Sequence, residues 1–373
     1  MRHFFYGTLR DPDLLRLVIG RTPVATPATL PGHSVLQAAD GAYPVLVPAG
    51  AGAAGLLVSG LEEEDRARLD FYEGGFAYGR VECVVETAGV AVAAQVYQPP
   101  DPAPATAGTW SLDDWQARWN PVVLAAADEM MRGFGRLDPA LLHRRYGQML
   151  TRAGARLRAA RPAPAPEIRR LADRRDVAVA RVTEAYGGFF AVEDYELRHR
   201  LFDGSMSAPL DRSVVVSGDA AVVLPYDPRR DRVLVIEQFR MGPVARGDGQ
   251  PWLIEAVAGR IDGGETPEEA ARREAREEAG LSFSALLPVA GYYPSPAALS
   301  EYLYSFVGIA DLPDGSAGPG GLENEGEDIR AHLLPAERLF ALAASGEVNN
   351  APLLLLSSWL KDNRARLQDG TGA

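Results

Sequence analysis

The chain has 373 residues, 47% of them hydrophobic, enough for two domains with cores of their own. Asp plus Glu total 50 against 38 Lys plus Arg, a net charge of -12; this excludes a protein that coats nucleic acid, because phosphate binding needs clustered cations. A single cysteine, Cys83, excludes an intrachain disulfide, a zinc cluster and a CxxC redox pair, and a single lysine, Lys361, argues against Schiff-base chemistry.

The opening residues MRHFFYGTLR have no long apolar core, and no run approaches the roughly 20 apolar residues of a membrane span. A soluble cytoplasmic protein with no membrane partner is therefore expected. Short apolar runs separated by Gly and Pro follow: HFFYGTL, AYPVLVP, AAGLLVSG and VAAQVYQ, a strand-rich pattern. Within this region FFYGTLRDPDLL and LDFYEGGFAYGRVECVV together resemble the γ-glutamylcyclotransferase-like family, which marks residues 1–103 as a β-barrel domain. The resemblance implies that the loop Tyr6, Gly7, Thr8 and Leu9 presents backbone N–H groups to the substrate. It implies too that Glu73 is a general base, deprotonating an α-amino group that attacks its own γ-carbonyl to release 5-oxoproline. Tyr78 and Arg80 match the family's Y-x-R segment. On the residues alone, Tyr6 and Tyr78 are equally packing residues and Glu73 a turn residue.

Two Pro/Ala-rich stretches, QPPDPAPATAG and RPAPAP, read as connectors, since proline fixes extended backbone and cannot donate to a ladder. Between them, residues 109–160 turn helical. Ser111 followed by Asp114 resembles a capping box, and Pro121 and Pro139 are helix-start signals. A two- or three-helix connector with a structural role is expected.

From residue 167 to 373 a third region begins. SVVVSGDAAVVLPYD and DRVLVIEQFR are predicted strands with a turn at Asp227 and Pro228, and PAERLFALAASG and APLLLLSSWLKDNRARL are predicted amphipathic helices. Between them, Thr266 as cap, Pro267 at the first position, Glu269 completing a capping box and Gly280 as left-handed stop predict a helix over Pro267 to Ala279. Glu269 with Arg273 and Glu268 with Arg272 are predicted i,i+4 pairs. Glu274, Glu277 and Glu278 crowd one another, and each like-charge pair on one helix face costs roughly 0.2–0.5 kcal/mol. Taken alone the helix is either a solvated charged face or a site for a hard cation, which takes oxygen ligands.

The spacing decides. Gly259, five residues, Glu265, seven residues, Arg273-Glu274-Ala275, one residue, Glu277-Glu278, one residue, Gly280-Leu281 matches the Nudix box at every defining position. The resemblance implies an α/β/α sandwich with a mixed sheet and Mg²⁺-dependent cleavage, with Mn²⁺ as an alternative ion, of a nucleoside diphosphate linked to another moiety. In the family the residues matching Glu274 and Glu278 ligate metal, Glu277 assists, the carbonyl of Ala258 completes the metal shell, and Arg273 orients the loop through an acidic partner such as Glu265.

YGGFFAVEDYELRHRLFDGSMS, VVLPYDPRRDRVLVIEQFR, PWLIEAVAG and Pro296, fifteen residues after Leu281, extend the resemblance to the bacterial ADP-ribose diphosphatases. This implies AMP and ribose 5-phosphate as products and a homodimer in which Phe189 stacks on adenine across the subunits. Arg212 and Arg240 would hold adenine or phosphates, Glu301 the substrate, and in ENEGEDI Glu325 would be the base with Glu327 beside the metals. Plain core for Phe189, a surface charge for Arg240 and a solvated acidic loop are the alternatives. SPAALSE stands where the subfamily often has SPGGTSE; Ala297 and Ala298 add Cβ atoms near the ribose, which makes GDP-mannose or another nucleotide sugar the competing substrate. Similar fusions are associated with bacterial tellurite resistance. Two further readings stay open: an ADP-ribose-sensing module without turnover, and an amino-terminal enzyme regulated by the Nudix part.

Overall fold

The computed structural model describes residues 1–74, 76–101, 103–162, 166–321 and 328–370, and of His143 the backbone. The chain divides into two compact units, Met1–Ala160 and Arg161–Ala373.

The first unit is built on a closed five-stranded barrel. Its strands run in the order His3–Phe5, Ala53–Ser59, Val24–Leu30, Gly79–Thr87 and Val90–Gln98, and the last pairs in parallel with the first. The long hairpin Gly79–Thr87/Val90–Gln98 turns on Ala88 and Gly89, both at positive φ (49° and 76°), the backbone that a tight hairpin requires. Phe4, Leu57, Val85 and Val96 fill one core. Phe5, next to Phe4 but facing the opposite way as strand alternation demands, joins a second core with helices.

That second core explains the three helices expected as a connector. Leu112–Arg118, Asn120–Met131 and Pro139–Ala159 bury Trp115, Val122, Ala126, Met130 and Leu142 with Leu14, Val18 and Leu69 of the helices Pro12–Ile19 and Glu63–Gly74. They form a packed layer of the first unit, because their apolar stripes need a surface to cover. Asp11 ties the layer down. It caps Pro12–Ile19 by accepting from Leu14 N at 2.9 Å, and accepts from Gln116 Nε2 at 2.6 Å and Asn120 Nδ2 at 3.2 Å. Between two of the helices, buried Glu129 accepts from Arg152 Nε at 3.0 Å and from Arg156 Nη1 at 2.8 Å.

The second unit carries a three-stranded antiparallel sheet, Val177–Gly187, Ala191–His199 and Leu210–Val216, and an eight-stranded sheet. In the latter, Ala220–Asp227 runs parallel to Leu303–Ile309 and antiparallel to Arg232–Phe239 and Val257–Arg260, so the sheet is mixed as expected. Alternation sorts its side chains into two layers. Ala221, Val223, Leu234 and Ile236 meet Ala270, Ala271 and Ala275 of the helix Pro267–Ala279. Val222, Leu224, Val233 and Val235 meet Leu339, Leu353, Leu356 and Leu360 of the helices Ala336–Ser345 and Ala351–Gln368. This is the α/β/α sandwich expected from the sequence. Among the described residues no helix is long and apolar enough to cross a membrane.

Candidate functional site

The acidic helix begins and ends where its caps place it. Thr266 and Glu269 form the reciprocal capping box, and Gly280 closes it at φ 64°. Three small residues, Ala270, Ala271 and Ala275, let it lie close on the sheet, which brings its carboxylates to the strand Val257–Arg260.

Arg273 organises the site through Glu265, the acidic partner that the resemblance implied, and not through Glu269, its i,i+4 neighbour. Its guanidinium meets Glu265 in a bidentate pair, Nε to Oε1 at 2.9 Å and Nη2 to Oε2 at 3.0 Å. Nη1 reaches Glu274 at 2.7 Å and Glu277 at 3.0 Å, and Nη2 also donates to the carbonyl of Arg260 at 2.9 Å. The crowding of carboxylates is thus relieved from within the helix, and bonding to Glu265 first of all raises the Arg273 pKa. Arg272 donates to the carbonyl of Phe283, and Glu269 caps Thr266 N at 2.9 Å.

Glu278 is 3% exposed, and its Oε2 accepts from Ala258 N at 3.2 Å. Glu274 lies across Gly259: a Cβ there would stand 1.9 Å from Oε1. Glycine is needed at this point so that the carboxylate can rest on the strand. Glu274, Glu277, Glu278 and Ala258 are therefore brought together. Their donors are all oxygen, the chemistry a divalent cation such as Mg²⁺ takes, so the residues fit the ion in kind. Among the described residues no group of three or more His, Cys, Asp or Glu is gathered closely enough to hold a metal. Glu325 and Glu327 lie outside the described residues.

Phe189 is exposed and sits under Arg260, whose guanidinium carbon is 4.2 Å from the ring centroid. Arg260 also donates to Ser217 Oγ at 3.3 Å. Burial raises the pKa of Glu301, Arg260 opposes the rise and Asp219 adds to it; Phe189, Arg260 and Glu301 thus form a second cluster. Sequence reasoning missed Arg260, although it directly follows the first glycine of the box. Arg212 donates to the carbonyl of Asp211 at 2.8 Å, and Arg240 Nε to Glu255 at 2.8 Å. Among the described residues neither bonds to the acidic helix.

The first unit holds a cavity of about 640 Å³ whose lining includes all five of the candidate residues there: Tyr6, Gly7, Thr8, Leu9 and Glu73. Gly7 is required by a close approach, since a Cβ would fall 2.6 Å from Pro44 Cγ. Tyr78 also lines the cavity and donates to the carbonyl of Pro44 at 3.3 Å, whereas Arg80 pairs with Asp70 at 3.0 Å. Burial pushes the Glu73 carboxyl up to about 8. Burial foremost, then Tyr78 and Glu73, raises the Tyr6 hydroxyl well above its usual value. Trp115, Trp119, Tyr146 and Leu150 of the helical layer complete the wall. Their sequence signal is ordinary helical periodicity, which says nothing of a ligand.

Residues 3–117 match the family model described as "Gamma-glutamyl cyclotransferase, AIG2-like", and residues 216–356 match "NUDIX domain". An ADP-ribose pyrophosphatase of Escherichia coli (strain K12) is 40% identical over 194 residues, 52% of this chain and 92% of that protein. One of Haemophilus influenzae is 33% identical over 195 residues, covering 52% and 89%. A GDP-mannose pyrophosphatase of Salmonella arizonae is 33% identical over 149 residues, covering 40% and 76%. The chain belongs to the Nudix family, and ahead of its Nudix domain it carries a domain of the gamma-glutamyl cyclotransferase, AIG2-like type.

Proposed function

We propose that the second unit hydrolyses the diphosphate of ADP-ribose to AMP and ribose 5-phosphate. The observation that carries this reading is the Arg273 clamp, which holds Glu274 against Gly259 and Glu277 beside it. The longer and more similar match to ADP-ribose pyrophosphatases favours that substrate over GDP-mannose.

Glu274, Glu278 and the carbonyl of Ala258 would hold Mg²⁺, with Mn²⁺ as the alternative ion and Glu327 beside them. A divalent cation, when bound, neutralises diphosphate oxygens and acidifies water. Arg273 fixes the carboxylates before substrate arrives, so little reorganisation remains for the reaction step. Glu325 takes the proton of the attacking water and Glu277 assists. Arg212 and Arg240 turn to adenine or phosphate, Glu301 contacts the substrate, and Phe189 stacks on adenine bound by a second copy. The dimer would form through the three-stranded sheet, where Val177, Val179, Val182, Tyr186 and Phe190 are exposed apolar residues. A monomer by light scattering at micromolar concentration refutes it.

The test is hydrolysis of a nucleotide panel with and without Mg²⁺. AMP from ADP-ribose, well above the products of GDP-mannose, supports the reading, and Glu278→Gln and Glu325→Gln should each abolish turnover while Glu325→Gln still binds. Binding without turnover in the unsubstituted protein would make it a sensor.

A second reading concerns the first unit, because its cavity encloses Glu73 together with the Tyr6–Leu9 loop. It releases 5-oxoproline from γ-glutamyl compounds, with Glu73 as base. No release from any such compound, or release unchanged in Glu73→Gln, refutes it.

A further inference from the structure

Arg260 belongs to both clusters of the second unit, one through its backbone and one through its side chain. Its carbonyl, at the end of the strand Val257–Arg260, accepts from Arg273 Nη2 at 2.9 Å. Alternation along the strand turns its side chain away from the face on which Glu274 lies over Gly259. The guanidinium carbon stands 4.2 Å from the ring centroid of Phe189 and 5.2 Å from that of Phe190, and the two rings meet edge-on at 5.1 Å. Nη2 donates to Oγ of buried Ser217 at 3.3 Å. Ser217 N donates to Ser300 Oγ at 3.0 Å, and Ser300 Oγ donates to the Ser217 carbonyl at 3.2 Å, so the anchor of the guanidinium is itself tied to the segment that carries Glu301.

The two rings need such support. They sit in the short turn between the strands Val177–Gly187 and Ala191–His199, with Phe189 59% and Phe190 42% exposed. Rings this exposed are not held in one rotamer by burial, so a base stacking on Phe189 would first have to order it. A guanidinium over one ring face is attracted to the π density there and restrains the ring. Order established beforehand removes that cost from binding.

We propose that Arg260 is a positioning residue for nucleotide recognition: its guanidinium backs Phe189 and sets the open part of the ring for a purine, while its backbone is held by the clamp of the acidic site. Arg260 then acts on affinity through Phe189 and not on the reacting diphosphate, from which strand alternation turns it away. This rests on reading the second unit as a nucleotide hydrolase in which Phe189 stacks on the base, and it adds to that reading a residue that fixes the ring before the base arrives.

The test combines steady-state hydrolysis of ADP-ribose with isothermal titration of AMP, both on the full chain in Mg²⁺. Arg260→Met, which keeps an apolar stem and removes the charge, should raise KM and weaken AMP binding by about tenfold each, while kcat changes by less than about threefold. Arg260→Lys, which restores a cation, should recover most of the loss. Phe189→Ala should raise KM as well, and the double variant Arg260→Met/Phe189→Ala should be no worse than Phe189→Ala alone, because both changes act through one ring. Losses that multiply in the double variant, a fall in kcat without a rise in KM, or KM and AMP affinity both unchanged in Arg260→Met overturn the proposal. AMP binding that depends on Arg260 and Phe189 in a chain that hydrolyses no nucleotide would refute the hydrolase reading and leave this one standing. Neither binding nor hydrolysis would refute both.

Discussion

Replacing Gly259 by alanine separates the geometry of the acidic site from its charge. The backbone at Gly259 is outside the left-handed region, so alanine meets no backbone strain. What it meets is Glu274: the added Cβ would lie 1.9 Å from Oε1, 2.0 Å from Cδ and 2.5 Å from Oε2, where contacts under 3.0 Å are essentially never seen. The carboxylate must retreat by about 1 Å or more, and as the end of a flexible side chain it can do so without moving the strand. It then loses the 2.7 Å bond to Arg273 Nη1, a charge-assisted contact whose loss costs about 1.5–3 kcal/mol at most. Arg273 keeps Glu265 and Glu277, so the net cost to the fold is about 1–2 kcal/mol, or a fall in Tm of about 2–8 °C for a unit of this size. Catalysis suffers more, because a misplacement of about 1 Å at a reacting centre costs on the order of 10²-fold.

The assay is kcat/KM for ADP-ribose in the single variants Gly259→Ala and Glu274→Gln and in the double variant, with a melting curve for each. If both act through one carboxylate, the double variant is no worse than the poorer single one. Unchanged kcat/KM in Gly259→Ala, or losses that multiply in the double variant, refutes the placement of Glu274 on the strand.

The remaining predictions concern the first unit. His3 is fully buried against Phe5 and Tyr97, and burial first of all lowers its pKa from 6.5 to about 4. The unfolded chain binds a proton between those values that the folded one refuses, so stability falls as pH drops from 6.5 to 4, by up to about 3 kcal/mol; urea melts of His3→Phe should lose this slope. Glu129→Leu leaves Arg152 charged and buried and should cost about 3–5 kcal/mol, with Glu129→Leu/Arg152→Met recovering most of it in thermal melts. Glu73 works in the opposite sense to His3. Its folded pKa of about 8 against an ordinary 4.5 means that the folded state holds a proton the unfolded state has lost, so the unit loses stability as pH rises through that range. A cyclotransferase rate that needs the ionised base should rise with a midpoint near 8, and a flat profile from about two units below that midpoint to about one above it would exclude Glu73 as the base.

The helix Pro267–Ala279 was legible because its signals are local. Thr266, Pro267, Glu269 and Gly280 act within a turn of where they stand, and the spacing of the box fixed which carboxylates share a face. The partner of Arg273 was legible through the family resemblance, which named Glu265, and not through helix spacing, which pointed to Glu269. Along the chain Glu269 is the i,i−4 neighbour, yet its carboxylate caps Thr266, and the guanidinium is drawn to Glu265 and the Arg260 carbonyl, which only the folded strand brings near. The same holds for the cavity. Tyr6 to Leu9 and Glu73 stand in motifs, whereas Trp115, Trp119, Tyr146 and Leu150 look like any apolar helical positions until the helices close on the barrel. Arg152, in an Arg-rich helix, reads as a surface charge, and its burial against Glu129 depends on how two helices pack.

The two sites keep carboxyl groups in opposite ways, and this bears on how one chain can serve both. At the acidic helix, repulsion among Glu274, Glu277 and Glu278 is offset by the Arg273 guanidinium and the Ala258 N–H, so charge stays available to a cation. In the cavity no cation lines the wall among the described residues, and burial keeps Glu73 protonated up to about 8. A divalent ion therefore finds paired charge at the first place and a neutral acid among tyrosines at the second. Chelating divalent ions should remove hydrolysis of the nucleotide and leave any release of 5-oxoproline by the first unit untouched.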